Sequence, residues 1–185
     1  DFISDDNFTQ NEVIQEWRQA FSKFKTKKGA RSSIEALLKR VSQGREFNPI
    51  NPLVDIYNSV SLSYAVPCGG EDLEKIAGHL RLGKAKGGES FFPLGAESDA
   101  PALPEEIIYY DDEGAVCRCL NWREAQRTML TEETKDAVLV IEAINGEQVG
   151  RAQSAMQELQ DLVKDYFGVQ GELTHLTAEN PELVI

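Results

Sequence analysis

Apolar residues recur at helical spacing near both ends of this chain and at strand spacing between them. That switch of period limits the fold more than any other feature. Val13, Trp17, Ala20, Phe21 and Phe24 lie on one face of an amphipathic helix predicted over 10–26, which residues 25–29 end. Ser32 and Glu35 read as a capping box before Ile34, Leu37, Leu38 and Val41, with Gly44 as the stop. Ala152, Met156, Leu159, Leu162, Val163, Tyr166 and Phe167 mark a further helix closed by Gly168. Between them, short strands are predicted near 53–62, 79–83, 90–93, 106–110, 114–120 and 137–144, with a helix around 122–129. The expectation is an α+β fold: a short-stranded mixed or antiparallel β core flanked by an N-terminal helical hairpin and a C-terminal helix. The chain reads as one unit, 1–185, divided into a hairpin over 1–46, a β-rich core over 47–145, and a C-terminal helix and tail over 146–185. Residues 95–106, with Pro101 and Pro104, read as a surface loop placed to act as a lid.

A length of 185 residues allows one sizeable core. No apolar run approaches the roughly 18 residues that would cross a bilayer, and no cleavable signal is visible, so no membrane partner is expected. Three cysteines make no disulfide framework, and a reducing, cytoplasmic setting is expected. His79 and His175 have no ligand spacing to the cysteines, and neither a metal nor a cofactor is expected. A net charge of −12 argues against indiscriminate binding of nucleic acid. The charge is uneven, however. Residues 1–46 hold nine of the 19 Lys and Arg but seven of the 31 Asp and Glu, and between Arg18 and Arg45 the only acid is Glu35. Two readings of that basic run stay open, a solvated helical face and a contact with a tRNA backbone.

The stretch 51–62 sets Val54, Ile56 and Val60 beside Asp55 and Asn58, a pattern that suits a pocket wall built on a buried extended segment. Pro67, Cys68, Gly69 and Gly70 follow as a turn whose glycines let a ligand approach backbone N–H groups, with Glu71 and Asp72 adding negative charge. A cationic or hydroxyl-bearing ligand fits such a turn. Residues 54–60, Val-Asp-Ile-Tyr-Asn-Ser-Val, followed by Pro67, resemble the amino-acid editing module of the bacterial phenylalanyl-tRNA synthetase β subunit, the B3/4 domain. There the stretch reads approximately Val-Val-Asp-(Val/Ile)-Thr-Asn-Tyr-Val and runs into a Pro-Met-His turn. Tyr57 and Ser59 depart from that pattern, and Gly69 stands at the histidine position. The likeness continues through 87–89 to 137–143, so it spans roughly residues 47–145, and is closer still to free-standing relatives of the module.

The resemblance implies a trans-acting hydrolase that cleaves the ester of mischarged tRNA, its partner, in translation quality control, with water and the tRNA's terminal hydroxyls doing much of the chemistry. Glu142, at the end of the most apolar strand, matches the family glutamate that reads the polar tip of the amino acid. Segment 119–127 falls where the family has a glycine-rich site. There Asn121 is placed to orient water or the ester carbonyl, Trp122 to stack on the terminal adenine, and Arg123 or Arg127 to hold a phosphate. Gly69 and Gly70 offer N–H groups to a carbonyl oxygen, Glu71 or Asp72 a base or cation-binding group, and Asn58 and Pro67 frame the pocket. Structural readings stand beside these: Glu142 as a solvated strand end, Trp122 as core, the arginines as a solvated face and Asp72 as a helix N-cap. Without a neighbouring histidine, Cys68 is a poor nucleophile. Two other functions fit the same residues, a non-catalytic module that binds an amino acid or tRNA end and an amidohydrolase acting on a free aminoacyl compound. The oligomeric state is not legible in the sequence.

Overall fold

The computed structural model describes residues 1–185 and is α+β. Four helices, α1 (Glu12–Phe21), α2 (Ser33–Ser42), α3 (Pro52–Tyr64) and α4 (Gly146–Phe167), accompany six strands. These are β1 (Cys68–Asp72), β2 (Arg81–Lys84), β3 (Ile107–Tyr110), β4 (Ala115–Arg118), β5 (Arg123–Glu124) and β6 (Ala137–Ile141). β1 and β6 form an antiparallel pair, and β2-β3-β4-β5 form a second antiparallel sheet. No helix is long and apolar enough to cross a membrane.

The terminal helices follow the expected pattern. Val13, Ile14, Trp17 and Phe21 of α1 share a core with Ile34 and Leu38 of α2. The predicted capping box does not form: the Ser32 side chain caps nothing, and Glu35 turns instead to Arg18, whose Nε and Nη2 donate to its carboxylate at 2.7–3.1 Å. α4 begins earlier than its apolar stripe suggested, because Asn145 accepts from the Gln148 N–H. Gly168, left-handed at φ 69°, closes it.

Residues 53–62 are not a strand. They lie in α3, where the Asn51 side chain accepts the Val54 N–H at 2.9 Å and Pro52 occupies the first turn. Val54, Tyr57, Val60 and Ser61 are its buried residues, a three-to-four spacing that outweighs the β preference of valine and isoleucine. Asp55 accordingly serves the helix start, accepting from the Ile50 N–H. Nor is the predicted glycine turn a turn: Gly69 and Gly70 lie inside β1, opposite Val140 and Leu139. Their lack of side chains serves close packing, since a Cβ on Gly70 would stand 2.6 Å from Leu139 and 2.8 Å from Leu130. Segment 90–93 forms no strand beyond a single bridge from Pro93 to Ala125. Segment 122–129 is not a helix, because Arg123 and Glu124 zip onto β4 as β5.

β6 decides where the site sits. Alternate side chains point to opposite faces, so Ala137, Leu139 and Ile141 pack with α3 and α4 in one core. Val140 and Glu142 turn the other way. The expected lid is held down rather than loose: Gln126 Nε2 donates to the Pro93 and Ala96 carbonyls, Arg118 Nη1 donates to that of Ala100, and Phe91 is buried beneath.

Candidate functional site

A cavity of about 440 Å³ opens between the two sheets and α2, a size suited to a small-molecule head group. Its walls draw on α2 (Ser33, Ala36, Leu37, Arg40), α3 (Tyr57, Asn58), β1 (Gly69, Gly70, Glu71), the β4–β5 hairpin (Cys117, Leu120, Asn121, Trp122, Arg123, Glu124) and the end of β6 (Glu142), with Tyr109 from β3. Of the residues singled out in the sequence, Asn58, Gly69, Gly70, Glu71, Asn121, Trp122, Arg123 and Glu142 meet here. Pro67, Asp72 and Arg127 do not. Pro67 is buried behind β1 and lends its carbonyl to the Glu142 N–H. Asp72 caps the short turn Leu73–Lys75 and accepts from Thr134 Oγ1, as the structural reading had it. Arg127 pairs through both terminal nitrogens with Asp111 at 2.8 Å, so it is not available to a phosphate. Burial would raise the Asp111 pKa, but that pairing and backbone donors hold its carboxyl below the ordinary range.

Three carboxylates form the floor. Glu142 is half-buried because the cavity reaches it, but its carboxylate lies deep within the protein. Tyr109 Oη donates to its Oε1 at 2.5 Å and Asn121 Nδ2 donates to its Oε2. Burial pushes its pKa up, against those two hydrogen bonds. Glu71 accepts from Thr128 Oγ1 at 2.8 Å. Glu124, half-buried, accepts the Gly70 N–H at 3.2 Å through Oε1, while Oε2 meets no protein donor. Glu71 and Glu124 repel one another in a poorly solvated space. Burial first, then that repulsion for Glu71 and the charge of Glu142 for Glu124, raise both above the ordinary carboxylate value.

Sequence reasoning missed Glu124 and Tyr109. The pairing of Cys117 with Glu124 brings that carboxylate over β1, and a Cβ on Gly69 would stand 2.9 Å from Glu124 Oε1. The expectation that both glycine N–H groups face a substrate therefore fails: the Gly70 N–H already serves Glu124, and Gly69 is paired with Val140 within the β1–β6 ladder. A helix around 122–129 would have pointed Glu124 elsewhere.

Asn121 links two elements: its Oδ1 accepts the Ser33 N–H at the first turn of α2 at 3.3 Å while its amide nitrogen holds Glu142. The tight hairpin before it puts Cys119 and Leu120 at φ 48° and 61°, left-handed backbone that costs of order 1–3 kcal/mol per residue and aims Asn121 inward. Ser33 Oγ is buried with no hydrogen-bond partner at the same wall. At the mouth, Trp122 has cations over its ring, with Arg123 at 5.0 Å and Lys27 at 5.5 Å. Cys68 borders the cavity with its thiol pushed up to about 12 by burial, which leaves almost no thiolate near neutrality. No group of three or more His, Cys, Asp or Glu side chains is arranged to hold a metal ion.

The model of the B3/4 domain family matches residues 16–168. A phenylalanine–tRNA ligase beta subunit from Fusobacterium nucleatum subsp. nucleatum is 30% identical over 102 residues, which are 55% of this chain. The matched stretch spans only 12% of that much longer relative.

Proposed function

Because the chain belongs to the B3/4 domain family, we propose that it hydrolyses the ester bond of mischarged tRNA, acting in trans on tRNA charged by a separate synthetase in the cytoplasm. Editing of this kind is needed where two amino acids differ too little for a synthetase pocket to separate them by binding. One observation carries the reading: a single cavity combines a carboxylate floor with a mouth lined by Trp122, Arg123 and Arg40. Hydrogen-bonding carboxyl groups, with Glu124 ionising at about pH 7, make a floor suited to the ammonium and a hydroxyl or cationic side chain of an amino acid, and the mouth suits an adenosine and its phosphate.

In this reading Glu142 reads the polar tip of the amino acid, held in place by Tyr109 and Asn121. Glu124, which lines the cavity and has one carboxylate oxygen without a protein donor, accepts a proton as water adds to the ester carbonyl. The tetrahedral intermediate then expels the ribose oxygen, which takes that proton back and leaves a free amino acid and an intact tRNA. A carboxylate whose pKa is raised toward neutrality is suited to both halves of that exchange. Incubation with a panel of mischarged tRNAs should release free amino acid from at least one of them. Glu142→Gln should slow that release about tenfold or more while leaving the hold on uncharged tRNA intact. If no charged tRNA releases its amino acid while a deacylase control works, the proposal fails.

One observation favours the second reading, a non-catalytic module for an amino acid or tRNA end: the Gly70 N–H is committed to Glu124 and so is withdrawn from any oxyanion. Saturable binding of an amino-acid ester with no turnover, under the same conditions, would decide for it.

A further inference from the structure

The basic run near the N-terminus has its own place in the fold. Glu35, the only acid between Arg18 and Arg45, is 3% exposed and lies against Arg18 and Arg31. It therefore subtracts little from the outer surface. Lys23, Lys25, Lys27, Lys28, Arg40 and Arg45 are all exposed. Of the ion pairs in the structure none involves these six. On a chain whose net charge is −12, an unneutralised cationic ridge is a local reversal of the field.

The ridge is continuous with the cavity. Ser33, Ala36, Leu37 and Arg40 follow one another at helical spacing along a single face of α2, and all four line the cavity wall. Ser33 reaches inward to Asn121, and Arg40 stands three residues beyond Leu37 along the same wall. On the other side the loop between α1 and α2 is tied to the β4–β5 hairpin, for the Lys27 N–H donates to Cys119 Sγ at 3.4 Å and its ammonium sits over Trp122. Cations therefore stand both on the α2 wall of the cavity and over the Trp122 ring.

We infer that the α1–α2 loop and the outer end of α2 form a docking ridge for the sugar–phosphate backbone of RNA, which delivers a single-stranded end to Trp122 and the cavity. The partner chemistry follows from the juxtaposition: backbone phosphates answer unpaired lysines and arginines, and an unstacked base answers an indole flanked by cations. This inference rests on the tRNA reading above for the identity of the RNA but not on hydrolysis.

The test is equilibrium binding of uncharged tRNA, followed by fluorescence anisotropy over a salt series. Lys27→Glu with Lys28→Glu should weaken binding about tenfold or more and flatten the dependence of log affinity on log salt by about 1–2, the loss of two phosphate contacts. Lys27→Gln with Lys28→Gln, a milder change at exposed positions, should move both in the same direction by less. Lys84→Glu with Lys135→Glu, an equal change of charge on exposed residues of the acidic body, should leave binding within about twofold. Equal loss in both reversals, or none at the ridge, overturns the inference. Binding through the ridge without any release of amino acid would sink the deacylase reading and leave this one standing. Undiminished release after the ridge reversals would do the opposite.

Discussion

Glu124 shows how one side chain joins packing to chemistry. Its Oε1 is fixed by a backbone N–H of β1, while its other oxygen accepts from no protein donor on a side chain that lines the cavity. A glutamine there keeps an acceptor for Gly70 but has no charge with which to take a proton. Glu124→Gln should therefore lower the rate of ester hydrolysis about 10²-fold with little change in tRNA affinity, and should remove the rise of activity with pH on the acid side. Single-turnover rates from pH 5 to 9 check it; an unchanged profile would reassign the base. Glu142 and Asn121 were singled out through the resemblance to the B3/4 domain, which sets a glutamate at the end of the apolar strand and a site segment over 119–127. Glu124 was not. Nothing in Trp-Arg-Glu-Ala distinguishes a strand glutamate facing a cavity from a helical glutamate facing water until the hairpin partner is known. Tyr109 escaped for the same reason, as one of two adjacent tyrosines that a strand sends to opposite faces.

Among the elements, the helices with a clear stripe and a stop were legible, and the errors fell where two periods compete. α3 reads as a strand by residue type and as a helix by the spacing of its buried residues, and the Asn51 cap with Pro52 decides for the helix. β1 reads as a turn because it is glycine-rich, yet β6 needs small residues opposite it. α4 is fastened to α1 by a polar clasp: Asn145 Nδ2 and the buried Gln148 Nε2 each donate to Glu16 at 2.7 Å. Asn145→Ala removes both the N-cap and one half of that clasp, and should cost about 1–2 kcal/mol. Urea unfolding measures it; a loss below a few tenths would mean that the apolar seam between α3 and α4 alone sets the position of the helix.

For the whole molecule the carboxylate floor fixes how stability responds to pH. Glu71, Glu124 and Glu142 all hold protons in the folded state at pH values where the unfolded chain has released them, above the ordinary value of 4.5. The folded form then binds more protons than the unfolded form, so stability falls as pH rises through that window. Chemical unfolding at pH 5.5 and 8.5 should show a lower unfolding free energy at the higher pH, by roughly 1–3 kcal/mol. A flat or rising trend would mean that water reaches these groups and relieves the burial. Asn121 carries a last consequence. Since the same amide grips the first turn of α2 and the carboxylate beneath the ligand, whatever settles on that helix and whatever fills the hollow share one mechanical joint. Thermodynamic reciprocity then requires that, by whatever factor one guest alters the other's grip, the second alter the first's by the same factor, whichever arrives first.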